Sequence, residues 1–299
     1  MLAVGRAGLS DLDPYALGEE VLGAWDAFLA LVTHPSTDLT RPSRLSGWTG
    51  ADTCIHLGAW PESQPLRGLL ASAARDGAGE PADQDAVNTQ LVAAHRAEGP
   101  ARIVAALQEA RDLLGEFFAS DLPAEVGRQQ SHSAVGQLPV LSLVHAGTYE
   151  LAVHALDLAP CGAPAPDPLL LERGLAALID VTGALSARSG VRTTVTAQTG
   201  PYGWQFTSDA DGWSTRRVPG GHDDGCGVRG SVEDLLDTSA GRTVLPQLLL
   251  QRRLVVQDLP AFMRLAPLLH EVPGLPGGAA LRGAVGGLSK VTRLLRLGR

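Results

Sequence analysis

The sequence predicts an α+β protein: an N-terminal bundle of the four-helix type followed by a small α/β C-terminal domain. Apolar residues recur at helical spacing through most of the chain before Pro160. A Pro-rich segment from Gly162 to Pro168 then interrupts the pattern, and alternating β-prone runs separated by Gly turns follow it. The expected domains are 1–162 and 163–275, with a basic tail over 276–299.

At 299 residues the chain is long for one domain. A formal charge of −8 argues against a nucleic-acid surface, which needs a basic face, so no nucleic acid is expected as a partner. Cys54, Cys161 and Cys226 are dispersed with no C-x-x-C pair, which indicates neither a disulfide framework nor a thiolate zinc cluster. No run approaches the roughly 18–20 apolar residues of a membrane span. The N-terminus has no basic region, apolar run and cleavage site in the order of a signal peptide. A cytoplasmic location without integral membrane association is therefore expected. Richness in Ala, Gly, Leu, Arg and Pro beside a single lysine, Lys290, is a compositional mark of a high-GC genome.

In chain order, Asp13-Pro14 is a helix start. Leu17, Val21, Ala24, Trp25, Phe28, Leu31 and Val32 then follow an amphipathic spacing that stops before His34-Pro35. The next loop ends in a second start, with Thr49 as N-cap and Asp52 as the capping-box acid. That helix is expected over Ala51–Trp60, with Pro61 and Pro65 shortening or kinking it. His56 lies in its middle and, taken alone, reads as a core residue before it reads as a ligand. Arg75–Asp85 reads as a surface loop. Helices over Asp85–Ala97 and Pro100–Ala119 follow, the second burying Ile103, Val104, Leu107, Leu113, Leu114, Phe117 and Phe118. Asp121–Leu138 reads as a polar connector, so the first half is a bundle with one long crossover.

The stretch Leu138–Pro160 is long enough for about five helical turns. Glu150 and His154 are four apart and share one face with Leu143, Gly147, Asp157 and Leu158. A carboxylate and an imidazole on an apolar stripe need partners, because burying either alone is unfavourable. A divalent metal meets that need, since Glu-x3-His supplies two ligands from one helix. A buried Glu–His hydrogen bond meets it equally well. Asp157 either bonds the second nitrogen of a ligand histidine or is solvated near the helix end. His145, five before Glu150, points elsewhere and is structural or at the surface.

Beyond Cys161, Asp167-Pro168 starts a helix that ends at Ser189-Gly190. Strands are expected in 191–198, 204–209 and 213–218. A loop over Pro219–Gly227 contains the His222–Cys226 cluster; its adjacent acids have no helical spacing to fix them as a second metal site. Ser231 and Asp234 form another capping-box pair. A short strand at 252–260 precedes a last helix, Ala261–His270. The tail interleaves cations with leucines, but its glycines weaken it as a helix.

Two motifs, Gly47 to Leu57 and Tyr149 to Leu158, resemble the N-terminal domain of the mycothiol-dependent maleylpyruvate isomerase family, which belongs to the DinB-like metal-binding bundles. The resemblance covers roughly 13–160. It implies metal ligands at His56, Glu150 and His154, with Trp48 as a packing anchor and Thr49 as the cap. Pro61 and Pro65 depart from the family pattern and reshape one wall of the pocket. In the second half, Val228, Gly230, Asp234, Leu235, Leu236, Gly241 and Arg242 resemble the C-terminal domain that accompanies this family, itself similar to sterol carrier protein. Because cofactor and substrate lie between the domains in the family, Arg229 is the cofactor-binding candidate for an anionic group; a structural salt bridge is equally compatible with it.

The resemblance implies a divalent metal, Zn²⁺ first, although the same ligands accept Ni²⁺, Co²⁺ or Fe²⁺. It also implies mycothiol as cofactor. Three protein ligands leave a position open, as in catalytic metal sites, and a thiol entering it loses its proton. The implied function is a mycothiol-dependent metalloenzyme whose thiolate attacks an electrophilic small molecule, by S-transfer or by maleylpyruvate-type cis–trans isomerisation. Its partners would be that electrophile and the low-molecular-weight thiol. A metal-dependent hydrolase and a non-catalytic metal-binding bundle are the alternatives.

Overall fold

The computed structural model describes residues 6–79, 84–222, 226–243, 245–265 and 268. Two compact units divide it: Ala7–Val181, and Arg6 with the described residues from Thr182 onward.

β1 (Arg6–Ala7) and a 3₁₀ turn (Gly8–Asp11) precede α1 (Pro14–Val32). Asp13 accepts a hydrogen bond from Tyr15 N, and Pro14 occupies the first turn, where no backbone donor is needed. α2 (Gly50–Leu57) opens on a complete capping box. Thr49 Oγ1 accepts from Asp52 N at 3.2 Å while Asp52 Oδ2 accepts from Thr49 N at 2.8 Å.

α2 ends at Leu57 and not at the expected Trp60. Gly58 turns to extended backbone, Ala59 N donates to Ala106 O, and Trp60 Nε1 donates back to Ile55 O at 2.8 Å. Pro65 then begins a helix, α3 (Pro65–Ala73), at the first-turn position that suits proline. α4 (Gln84–His95) and α5 (Pro100–Phe118) follow the expected spans closely.

The connector expected over Asp121–Leu138 holds α6 (Leu122–Val126) and a hairpin of β2 (Gln130–Ser133) and β3 (Gly136–Pro139). Its polar side chains are structural. Ser131 Oγ donates to Leu69 O and Ser72 Oγ accepts from His132 N, both at 2.9 Å, which ties the hairpin to α3. α7 (Val140–Asp157) and α8 (Pro168–Arg188) complete the helices of this half.

α1 and α2 each pack against both α5 and α7, closing a ring of four helices. Phe28, Ile55, Ile103, Leu107 and Leu151 fill its centre, each at most 1 % exposed. Burial of each such side chain contributes about 1.5–3 kcal/mol. The expected domain boundary at 162–163 precedes α8, and the packing divides inside that helix. Gly174 leaves room for Ala152 of α7, whereas Gly183 lies against Phe206 and Trp213.

In the second unit the strands are β4 (Thr193–Gln198), β5 (Tyr202–Asp209), β6 (Gly212–Pro219), β7 (Cys226–Arg229) and β8 (Val255–Gln257). The helices are α9 (Val232–Ser239), α10 (Leu245–Leu250) and α11 (Leu259–Phe262). The sheet order is β1-β6-β5-β4-β7-β8, with β4 and β7 parallel. β7 begins inside the segment expected to be loop. Ser231 caps α9 by accepting from Asp234 N at 3.1 Å, while the Asp234 carboxylate binds Arg253. Among the described residues, α11, a 3₁₀ turn (Met263–Leu265) and helical Leu268 stand where Ala261–His270 was expected. Residues 266, 267, 269 and 270 of that helix, the tail 276–299, and Asp223 and Asp224 lie outside the described residues. Among the described residues no helix is long and apolar enough to cross a membrane.

Candidate metal centre

α7 carries Glu150 and His154 one turn apart, so both side chains lie on the face that meets α2. α2 presents His56 from the last turn before its C-cap. One ligand atom from each of the three residues lies within 4.8 Å of those of the other two. Nε2 of His154 is 3.4 Å from Glu150 Oε2, and Nε2 of His56 is 3.9 Å from the same oxygen. The two imidazoles meet edge to face, with centroids 5.2 Å apart.

These spacings test whether a metal fits. Direct hydrogen bonds between the groups would close to about 2.7–3.2 Å. Two ligand atoms each about 2.0–2.1 Å from a tetrahedral ion are about 3.3 Å apart. The His154–Glu150 pair stands at the second kind of spacing and the His56–Glu150 pair is wider than either, and the donor set of two imidazoles and one carboxylate suits a divalent ion.

His154 is 5 % exposed, whereas the Glu150 side chain keeps 36 % of its surface, so the centre has a covered side and an open one. Burial raises the Glu150 carboxyl, but the facing imidazoles of His154 and then His56 outweigh it and hold the group well below the usual carboxylate range. Burial lowers the His154 imidazole, and its bonds to Asp157 and Glu150 outweigh that and raise it above its ordinary value.

Of the two readings of Asp157, the contact with His154 is the one seen, and the solvated one is not. Its side chain is fully buried, and Oδ2 lies 3.0 Å from His154 Nδ1. Oδ1 lies 3.3 Å from Nε of Arg44, which sequence reading did not single out. Arg44 sits in an irregular loop, and no periodicity ties it to α7.

Trp48 packs edge-on to His56 at 5.9 Å, in the role expected of an anchor. His56 Nδ1 is buried with no hydrogen-bond partner among the described residues. His145 is buried, not at the surface, and burial pushes it down to about 4. The Pro61–Pro65 departure builds a turn in which Trp60 bridges Ser63, His95 stacks on Trp60 at 3.7 Å, and His95 Nε2 meets Glu62 Oε1 at 2.6 Å. Arg229 is exposed on β7, in the other unit from the triad.

Residues 21–159 match the family model of the mycothiol maleylpyruvate isomerase N-terminal domain. Two solved structures are similar to the chain: the mycothiol-dependent maleylpyruvate isomerase, at 18% identity and a TM-score of 0.45, and a histidine-to-alanine mutant of that enzyme, at 17% and 0.48. Each likeness covers 80% of this chain and 93% of the other. No curated protein matches.

Proposed function

We propose, from the match of residues 21–159 to the mycothiol maleylpyruvate isomerase N-terminal domain, that the protein is a mycothiol-dependent metalloenzyme acting on an electrophilic small molecule. His56, Glu150 and His154 would hold a divalent ion, Zn²⁺ in the first instance. The observation that carries this reading is the spacing of 3.4 and 3.9 Å between the Glu150 oxygen and the two Nε2 atoms, too long for a hydrogen-bonded cluster and suited to ligands around one ion.

When bound, the ion supplies Lewis acidity, so a thiol reaches the electrophile as thiolate at neutral pH. The protein's residues prepare the place for that chemistry. Glu150 brings one negative charge to two neutral imidazoles, leaving the set net positive with a divalent ion and receptive to a second anion. The half-exposed side of Glu150 admits thiol and substrate, while the buried side of His154 excludes water. Cys54, Cys161 and Cys226 are all buried, and burial raises each thiol, so the nucleophile comes from the small-molecule thiol. A cytoplasmic location accompanies that thiol partner.

Two outcomes share the first bond-forming step. Addition of sulfur to a cis-enoyl acid, rotation about the resulting single bond and expulsion of sulfur returns the thiol and isomerises the acid. Displacement of a leaving group retains sulfur in the product. The purified protein loaded with Zn²⁺ and given mycothiol with maleylpyruvate, or with an alkylating electrophile, separates them. Isomerisation leaves free thiol constant, and S-transfer consumes one thiol per turnover. Absence of mycothiol-dependent turnover with either class of substrate in metal-loaded protein would contradict the proposal.

A further inference from the structure

We infer that Asp157 and Arg44 are positioning residues for the proposed metal centre: the Asp157 carboxylate, shared between the Arg44 guanidinium and the His154 ring, fixes the ring with Nδ1 protonated and Nε2 free to bind the ion. This role presupposes the metal reading above and specifies how one of its ligands is oriented.

The geometry leaves few alternatives for the carboxylate. Asp157 has no exposed side-chain surface, with Oδ2 3.0 Å from His154 Nδ1 and Oδ1 3.3 Å from Arg44 Nε. A carboxylate only accepts, so each oxygen faces a donor, and the donor on the ring is Nδ1–H. In a neutral imidazole the remaining nitrogen, Nε2, then carries the lone pair, and it is Nε2 that faces Glu150. A hydrogen bond of this kind commonly orients a metal-bound histidine.

Arg44 is held at two points. Besides the ion pair, its backbone N donates to Asp157 O at 3.0 Å. The same loop is fastened to the end of α7 and the turn after it through Asp38 N to Cys161 O and Ser36 Oγ to Gly162 O, both at 2.8 Å. Further along, it delivers Trp48 against His56. One loop therefore braces both histidines, one by packing and the other through a buried carboxylate.

The alternative is a buried ion pair that serves stability alone. Asparagine at 157 distinguishes the two. Its side chain has one acceptor oxygen and one donor amide, so it cannot accept from Arg44 and Nδ1–H together. With the oxygen toward Arg44, the amide faces Nδ1 and selects the tautomer with the proton on Nε2, which cannot bind metal. Removing Arg44 frees the oxygen to turn back to Nδ1–H.

The test is Zn²⁺ affinity by chelator competition, with the visible spectrum of the Co²⁺ form, for the wild type, Asp157→Asn, Arg44→Leu and the double variant. Asp157→Asn should weaken binding roughly 10–100-fold and alter the Co²⁺ spectrum. The double variant should recover about tenfold of that loss, a reversal that a purely structural pair does not produce. Affinity of Asp157→Asn within about twofold of wild type, or a double variant weaker than either single one, overturns the inference. Should Asp157→Asn not fold, Arg44→Leu alone decides: unchanged affinity overturns the role, and a loss of several-fold upholds it. If the wild type binds no ion, the metal reading itself falls. If His56→Ala and Glu150→Ala abolish binding while Asp157→Asn does not affect it, only this inference falls.

Discussion

Oε2 of Glu150 stands 3.4 Å from Nε2 of His154, one turn further along α7. Without an ion the two form an ion pair, which ties stability to pH. His154 has a raised pKa, so its contribution is present below about pH 6.5 and is lost as pH rises through the folded value. Glu150 is lowered, so its contribution is present above about pH 4.3 and is lost as pH falls through the folded value. The window common to both lies between about pH 4.5 and 6.5. In metal-stripped protein, the urea midpoint of wild type minus that of Glu150→Gln should be greatest in this window and shrink above it. A difference independent of pH would contradict the pairing.

His145 predicts the opposite slope. Its folded pKa of about 4 lies below the unfolded value of about 6.5, so the unfolded chain binds the proton first and stability falls as pH drops between them. The full effect is about 3 kcal/mol. In metal-stripped protein, His145→Leu should lose less stability than wild type between pH 7 and pH 4.5, by about 2–3 kcal/mol in urea titrations. Equal losses would show that His145 is protonated in the fold.

Gly147 shares the face of α7 that carries Glu150 and His154, one turn before Glu150, and a Cβ placed there meets nothing within 4 Å among the described residues. Helical side chains lean toward the N-terminus, so Glu150 projects over the turn that contains Gly147. Gly147→Ala should raise stability by about 1 kcal/mol, the usual helix preference. Gly147→Leu should fill the approach, lowering mycothiol turnover with metal content unchanged. Retained turnover would place thiol entry elsewhere.

The α2 capping box predicts a graded series. Thr49→Ala should cost about 1 kcal/mol. Asp52→Ala should cost more, because Asp52 is 1 % exposed and also takes both Nε and Nη2 of Arg96, at 2.9 and 3.1 Å. Arg96→Ala should fall below Asp52→Ala, since the cap remains. Denaturant midpoints of the three variants check the order.

Much of the site was legible because it is local. Glu150 and His154 read as neighbours from their spacing, and Thr49 with Asp52 read as a helix start. His56 lies on another helix, and only the resemblance joined it to them. Arg44 was invisible because its partner Asp157 is reached across the fold, not along it. The hairpin of β2 and β3 was missed for a related reason: its polar side chains are consumed by hydrogen bonds to α3, which a hydrophobic pattern does not register. β7 was hidden by its shortness, by Gly227 within it and by Gly230 directly after it. Pro65 was read as a helix breaker, whereas at a first turn it is a helix starter.

The most direct test of the metal centre is the metal content of the purified protein beside His56→Ala and Glu150→Ala. Near-stoichiometric divalent metal in the wild type, lost in both variants while the helical circular dichroism is retained, is the predicted result. No metal in the wild type after incubation with Zn²⁺, or metal that survives both substitutions, would reduce the triad to polar core residues and contradict the account.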